Sequence, residues 1–370
     1  MVRLGVFFGG RSGEHEVSLM SAASVINAID RKKYEVKTFG ITKDGTWLLY
    51  EGSPEHIADG SWQQEAEQAL RNDRETYGFT VLGAGGKSLK DMIDFALPVL
   101  HGPYGEDGTI QGLFEMIGIP YGGCDVIGSA LAMDKIAAKQ VFSAMDIRQV
   151  PYVWLEAEDL PEKTEWMKRK IKKRLHYPVF VKPANMGSSV GLSKVSRPEE
   201  LDAAIELACR YDRRIIIEQG VECRELETAI LGNHSVEVGA VGEIISASEY
   251  YDYEAKYLDG GRSQLCVPAQ ITEAQREEIR STAARAYKAL DCRGYARVDF
   301  LMDKNTGEIY LNEINTIPGF TPYSMFARLW EAEGVPFPEL IERIVELGME
   351  RYSVKNRQET AAHGEIRSGE

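Results

Sequence analysis

The sequence predicts an α/β fold. Three observations carry that prediction: two strand, glycine-loop, helix units in the first third, a later set of short apolar strands joined by small-residue loops, and a carboxylate-bearing hairpin near the end. In the first unit, residues 2–8 form an apolar strand that breaks at Gly9-Gly10-Arg11-Ser12-Gly13. Val17, Leu19, Ala22, Ala23, Ile26 and Ile29 then recur at helical spacing. The glycine spacing G-G-x-x-G is not the dinucleotide fingerprint G-x-G-x-x-G, which weighs against an NAD site. Glu14-His15-Glu16 stands at the helix entrance, where a carboxylate either receives a ligand's ammonium group or complements the helix dipole.

From Thr42 to Asp94 the pattern is irregular, with a polar helical piece near Gln63–Arg74 and a glycine cluster at Gly83–Gly86, and no chemistry is visible. The second unit runs from a buried strand, Phe95–Leu100, through His101-Gly102-Pro-Tyr-Gly105-Glu106-Asp107-Gly108 to a helix bearing Ile110, Leu113, Phe114 and Ile117, with Gly118 as its stop. Loops at strand carboxyl ends line the ligand crevice of open α/β sheets, so His101 either belongs to a site or anchors its loop.

A helix is expected from about Ser129 to Met145, and its apolar positions do not explain Lys135. The strand ending at Val181-Lys182 opens into Pro183-Ala-Asn-Met-Gly187-Ser188-Ser189-Val-Gly191, followed by a strand over Leu192–Val195. Successive N–H groups in such a loop can form an anion nest that Lys182 can reach. It is not a P-loop, because the lysine precedes the glycines. Beyond a capped helix through Leu201, Ala204, Ile205 and Ala208, Arg214–Val221 reads as a buried strand ending in a polar hinge at Glu218 and Gln219. Arg224–Leu231 reads as its antiparallel neighbour, and the apolar edge beside a carboxylate suits a nucleobase and ribose.

Ser248–Gly261, rich in tyrosine and charge, reads as a lid. The helix over 273–290 enters through the Thr272-x-x-Gln275 capping box and leads to the hairpin Cys292–Gly319. There the period of two puts Arg297 and Asp299 on one face and Val298 and Phe300 on the other, while Glu313 and Asn315 share a face opposite Ile314. Carboxylates on strands that read as buried demand a partner, and Asp299, Glu313 and Asn315 supply the oxygens that a hard divalent cation takes. A solvated polar face is the bland alternative.

The 370 residues allow two or three domains with a cleft between them. A net charge of -14 argues against nucleic acid as a partner, and no apolar run approaches a membrane span. The five cysteines are scattered without a C-x-x-C spacing and read as reduced packing residues. The amino terminus lacks a signal-peptide pattern, so a cytoplasmic protein is expected.

Taken in order, the motifs are Gly9-Gly10-x-Ser12-x-Glu14-His15-Glu16-Val17-Ser18, His101-Gly102-x-x-Gly105-Glu106-Asp107-Gly108, Met133-Asp134-Lys135, Val181-Lys182-Pro183 with Gly187-Ser188-Ser189-Val190-Gly191, Tyr251-Asp-Tyr-Glu-Ala-Lys256-Tyr257, Arg297-Val-Asp299 and Asn312-Glu313-Ile-Asn315-Thr-x-Pro318-Gly319. Together, over about Val2–Tyr352, they resemble the D-alanine:D-alanine ligases of the ATP-grasp superfamily. The resemblance implies a Rossmann-like amino-terminal domain (1–125) on the first substrate's side and two ATP-grasp subdomains (126–216 and 217–355), with ATP between two antiparallel sheets. A polar tail, 356–370, is expected to be disordered.

For ATP the resemblance implies Lys135, Lys182, Ser188, Ser189 and Lys256 at the phosphates, Glu218, Gln219 and Val221 along the adenine, Glu225 at the ribose, and Asn312 nearby. Two Mg²⁺ or Mn²⁺ ions would sit on Asp299, Glu313 and Asn315. Glu14 would take the first substrate's ammonium and form a hydrogen-bonded set with Ser188 and Tyr257. His101 would lie beside that substrate, Ser324 would receive the second carboxylate, and Arg297 with the N–H of Gly319 would stabilise a tetrahedral intermediate. Retention of Lys256-Tyr257 favours dipeptide over D-alanyl-D-lactate synthesis, and a homodimer is expected. The rivals are another ATP-grasp carboxylate–amine ligase and a nucleotide-binding protein without turnover.

Overall fold

The computed structural model describes residues 1–82, 87–160, 164–245 and 264–368. Three sheets organise them. The first has the order β3-β2-β1-β4 and contains β1 (Val2–Gly9), β2 (Tyr34–Ile41), β3 (Trp47–Tyr50) and β4 (Phe95–Pro98). β1 is parallel to β2 and β4, as the two strand–loop–helix units require, and β3 is antiparallel. Helix α1 (His15–Ala28) buries Leu19, Ala22, Val25 and Ile26 against this sheet.

The stretch after Thr42 is more regular than its sequence suggests. It contains β3 and helices α2 (Pro54–Ala58), α3 (Trp62–Asn72), α4 (Arg74–Tyr77) and α5 (Leu89–Met92). Its apolar residues are few but large. Trp62 is fully buried edge-on to Phe8, 4.9 Å between ring centres, so one aromatic does the work of a periodic stripe. Helix α6 (Thr109–Ile117) stops at Gly118 in the left-handed conformation, as its sequence predicts.

The helix expected over Ser129–Met145 is two helices, α7 (Val126–Met133) and α8 (Lys135–Ala144). Asp134 divides them: its carboxylate accepts from the N–H groups of Ile136 and Ala137, both at 2.9 Å, and so prefers an N-cap to a helix interior.

The second sheet, order β5-β8-β6-β7, is antiparallel throughout and carries β5 (Tyr152–Glu156), β6 (Val179–Pro183), β7 (Ser193–Val195) and β8 (Arg214–Gln219). Helices α9 (Thr164–Arg174) and α10 (Leu201–Cys209) cover one face of it. The third sheet, order β11-β10-β9-β12-β13, contains β9 (Cys223–Gly232), β10 (Val236–Ile245), β11 (Gln264–Cys266), β12 (Tyr295–Asp303) and β13 (Ile309–Asn315), again antiparallel. Helix α11 (Glu273–Ala289), with its capping box at Thr272 and Gln275, packs on it.

β8 and β9, expected to pair, lie in different sheets. Both alternate well enough to pair, but the three residues between them send the chain from one sheet to the other. Gly220 donates to Pro178 O and leaves no room there for a Cβ, which would come within 2.6 Å of that oxygen.

Helix α12 (Met325–Glu331) and the long helix α13 (Phe337–Ser368) complete the chain. The tail expected to be disordered from 356 continues α13 as far as Ser368. Lys355, Arg357, Gln358, Glu359, Ala361 and Ala362 are strong helix formers, and no proline interrupts them. α13 returns to the first sheet: Leu340, Ile341 and Ile344 share one apolar core with Leu4, Val6, Phe95 and Leu97. All five cysteines are free thiols. Among the described residues no helix is long and apolar enough to cross a membrane.

Candidate active site

Strand β12 puts Arg297 and Asp299 on one face, as the alternation requires. The guanidinium closes on the carboxylate through two bonds, Nε to Oδ1 at 2.7 Å and Nη2 to Oδ2 at 2.8 Å. Glu227, from β9, adds a second carboxylate 2.9 Å from Arg297 Nε. Across the hairpin Asp299 is registered with Glu313 and Arg297 with Asn315, whose amide donates to Asp299 Oδ2 at 2.9 Å.

The register then slips, Phe300 pairing with Leu311, so that Asn312 is the extra residue of a β-bulge. Without that bulge a strict period of two would turn Glu313 and Leu311 to the same side. With it, Leu311 and Ile314 are both buried while Asn312 and Glu313 stay at the polar surface. The signal was present in the sequence as two adjacent polar residues between two apolar ones.

Glu313 reaches toward the second sheet, where Lys135, at the start of α8, holds it at 3.3 Å while donating to Met186 O at 3.0 Å. One turn along α8, Lys139 is almost fully enclosed and lies 2.8 Å from Glu218 Oε1; the other oxygen of Glu218 is paired with Lys182. Burial alone would raise the Glu218 carboxyl, but the two ammonium groups outweigh it and hold it down at about 2. Burial pushes Lys139 below its ordinary value against the pull of Glu218. For Lys182 the carboxylates of Glu218 and Glu313 overcome burial and raise it. Lys139 and Glu227 carry no motif, and sequence reading passed over both. Their signals were a lysine one turn after Lys135 and a glutamate two after Glu225.

The loop after β6 turns on Ser188 and Ser189, at φ 48° and 60°. Ser188 Oγ donates to Glu14 Oε1. Glu14 lies between two glycines: a Cβ at Gly102 would stand 2.7 Å from its Oε2, and one at Gly187 2.6 Å. A side chain at either position would push this carboxylate aside, and Gly102, at φ 71°, also holds a backbone conformation that favours glycine.

His101 precedes Gly102 and is buried. Its Nδ1 is 2.9 Å from Ile317 O and its Nε2 is 3.0 Å from Ser21 Oγ. Burial pushes the imidazole pKa down, against the charge of Glu14. Glu106 accepts from Gly102 N at 2.8 Å and from Ile317 N at 3.0 Å, and burial, reinforced by Glu14, pushes its carboxyl up to about 8. Ser324 caps α12 and takes Thr321 N on its hydroxyl at 3.1 Å; a Cβ on Gly319 would lie 3.3 Å from that oxygen.

One run of contacts joins Glu14 to Ser188 and His101 to Ile317, and another joins Arg297, Asp299 and Asn315, with Glu313 on Lys135 and Glu218 on Lys182. Gln219 is engaged with the backbone of His176, accepting at 2.6 Å and donating at 2.7 Å, while its own N–H donates to Pro151 O at 2.9 Å. Val221 lies in the crossing between sheets, and Glu225 and Asn312 on the strands beyond it. Lys256, Tyr257 and the expected lid lie outside the described residues.

The oxygen donors suit a hard cation. Among the described residues no three His, Cys, Asp or Glu side chains gather at metal-binding spacing, but Asp299 and Glu313 face each other and the amide of Asn315 adds a third oxygen.

Comparison with known proteins decides the lineage. Residues 3–124 match the model described as D-ala D-ala ligase N-terminus, and residues 141–346 match D-ala D-ala ligase C-terminus. The chain belongs to the D-alanine:D-alanine ligase family.

A D-alanine--D-alanine ligase of Thermoanaerobacter sp. is 48% identical over 356 residues, covering 96% of this chain and 99% of the relative. One from Ruminiclostridium cellulolyticum is 46% identical over 368 residues, with 97% and 98% covered. Among solved structures, the D-alanine-D-alanine ligase of Coxiella burnetii superposes with a TM-score of 0.85 at 31% identity, covering 99% of both chains. The VanG D-Ala:D-Ser ligase of Enterococcus faecalis gives 0.80 at 36% identity, covering 94% and 99%. The fold is that of this ligase family, ATP-grasp, as the motifs predicted.

Proposed function

We propose that this chain condenses two D-alanines to D-alanyl-D-alanine for peptidoglycan precursors, converting ATP to ADP and phosphate. One observation carries the reading. The loop 101–106 abuts Glu14, which accepts from Ser188, and bonds Ile317 at the end of the hairpin, which supports reading the ammonium site and the oxyanion site as neighbours.

In this reading the division at 125 and 216 separates a first-substrate domain from two subdomains that hold ATP between the second and third sheets. Lys135, Lys182 and the N–H groups around Ser188 and Ser189 face the phosphates. Glu218 to Val221 line the adenine and Glu225 the ribose. Two Mg²⁺ ions, or Mn²⁺, held by Asp299, Glu313 and Asn315 would neutralise phosphate oxygens.

The first D-alanine is held by its ammonium on Glu14, and its carboxylate oxygen attacks the γ-phosphorus, breaking the bond to the bridging oxygen of ADP. The amine of the second D-alanine, its carboxylate at Ser324, then attacks the acyl carbon. Arg297 and Gly319 N–H take the oxyanion, the amine loses a proton, and phosphate leaves as the carbonyl re-forms. Lys256 and Tyr257 would complete the enclosure that keeps water from the acyl phosphate. The reading extends to a cytoplasmic homodimer on the strength of the resemblance alone, and sedimentation of the purified chain tests the assembly.

Likeness to a D-Ala:D-Ser ligase makes the second substrate the point to test. Phosphate release is followed with D-alanine alone and with D-alanine plus D-serine or D-lactate. Turnover on D-alanine alone, with dipeptide as product, is expected; preferential mixed dipeptide or ester would sink the assignment.

A further inference from the structure

The loop that follows Asn315 is held from outside its own domain, by groups whose donors and acceptors match in only one way. Ile317 C=O can only accept, so His101 Nδ1 carries the hydrogen and donates to it at 2.9 Å. His101 Nε2 is then an acceptor and takes the Ser21 hydroxyl at 3.0 Å. Ser21 Oγ in turn accepts Phe320 N–H at 3.4 Å. On the other side of the same residue, Ile317 N–H donates to Glu106 Oε1 at 3.0 Å, and Glu106 Oε2 takes Gly102 N–H at 2.8 Å.

Both main-chain polar groups of Ile317 are thus tied to the first domain, and so is the N–H of Phe320. Between these two residues lie Pro318 and Gly319. The loop that supplies the ties is braced in its turn: Ser12 Oγ donates to His101 O at 2.6 Å, and buried Gln111 donates to Gly105 O at 2.7 Å.

We propose that Glu106 is a positioning residue for the amide transfer, clamping the main chain of Ile317 together with His101 so that the N–H of Gly319 is held where the tetrahedral oxyanion forms. Glu106 has no need to touch substrate for this. An oxyanion donor works only if it is fixed before charge develops, and glycine, which carries this N–H, leaves its backbone free to turn unless its neighbours are held. His101, with both nitrogens engaged, acts through the same residue. The inference rests on the reading of Gly319 as an oxyanion donor.

The test is Glu106→Gln, whose amide offers one acceptor oxygen where the carboxyl group offered two, so that an N–H₂ group faces one of the two peptide N–H groups. We expect kcat to fall about 10- to 100-fold, a share of what loss of a whole oxyanion donor costs, with KM for ATP within about twofold. A phosphinate analogue of the dipeptide, which mimics the tetrahedral centre, should lose affinity by a similar factor while ADP binding stays unchanged. Ser21→Ala, a smaller change at the far side of the ring, should show the same signature at about 3- to 10-fold and serves if Glu106→Gln does not fold.

Unchanged kcat and phosphinate affinity in a folded variant would overturn the clamp. Parallel losses in ADP affinity, KM and thermal stability would also overturn it, by reducing Glu106 to a structural role. If the unaltered chain binds the phosphinate no better than the dipeptide, the Gly319 reading itself fails, whatever Glu106 does.

Discussion

The two ends of the proposed site are held by different kinds of bond. At Ile317–Phe320 the ties run from Glu106, His101 and Ser21 to main-chain groups, each hydrogen directed at one acceptor. At the end proposed to hold the nucleotide, charges pair with charges: Lys135 with Glu313, and Lys139 and Lys182 with the two oxygens of Glu218. A network of directed dipoles can fix one shape and little else. A cluster of ion pairs can exchange partners, because a phosphate offers Lys182 what Glu218 now offers it. Under the proposed function, rigidity falls where the oxyanion would form and exchangeable charge where ATP would arrive.

The contrast can be broken from the charged end. Glu313→Gln should cost the most, about 10²- to 10³-fold in kcat, since it removes a carboxylate of the cation site while leaving the fold intact. Steady-state ADP release measures the loss, and a chelator should abolish turnover until Mg²⁺ is restored.

Glu218→Gln should cost stability instead, about 3 to 5 kcal/mol by denaturant unfolding, because Lys139 is left enclosed without a counter-charge. Its pH dependence has a definite sign. The folded carboxyl is depressed to about 2 from an unfolded value of about 4.3, so its contribution is full above the unfolded value. The gap between the two proteins should shrink as pH falls from about 4.3 toward 2.

Lys139→Met should raise KM for ATP severalfold with kcat nearly kept, because Lys182 would then be the sole cation on Glu218 and less free to leave it. An unchanged KM would mean that Lys182 does not exchange partners. Ser188→Ala, which deletes a hydrogen bond to a charged group at the junction of the two ends, should lower kcat/KM for D-alanine by about tenfold.

Much of this was legible in the chain. Local alternation gave the faces of the hairpin, and the glycine loops marked the ends of β1, β4 and β6. What stayed hidden depends on which strand lies beside which. β8 and β9 alternate equally well, and no local pattern tells that Gly220 diverts the chain into another sheet. Lys139 looked like any lysine on a helix, since its burial comes from β5 and β8, which supply Tyr152 and Glu218. Glu106 and His101 stood out as motif residues, but their partner, Ile317, is more than 200 positions away and contributes only its main chain. Asp134 was legible as a cap and was missed because apolar periodicity runs on across it.

Helix α13 has a consequence for how the chain is made. Gly348 sits where a side chain would strike Tyr121 O at 2.4 Å, Arg351 bonds Tyr121 O at 3.0 Å and lies over its ring, and Tyr352 reaches Gly118 O. The first sheet precedes α13 in the chain and thus keeps part of its apolar surface open until that helix has emerged from the ribosome. Its assembly is a long-range closure of the kind that slows folding, and during translation that surface is exposed to chaperones for nearly the whole length of the chain.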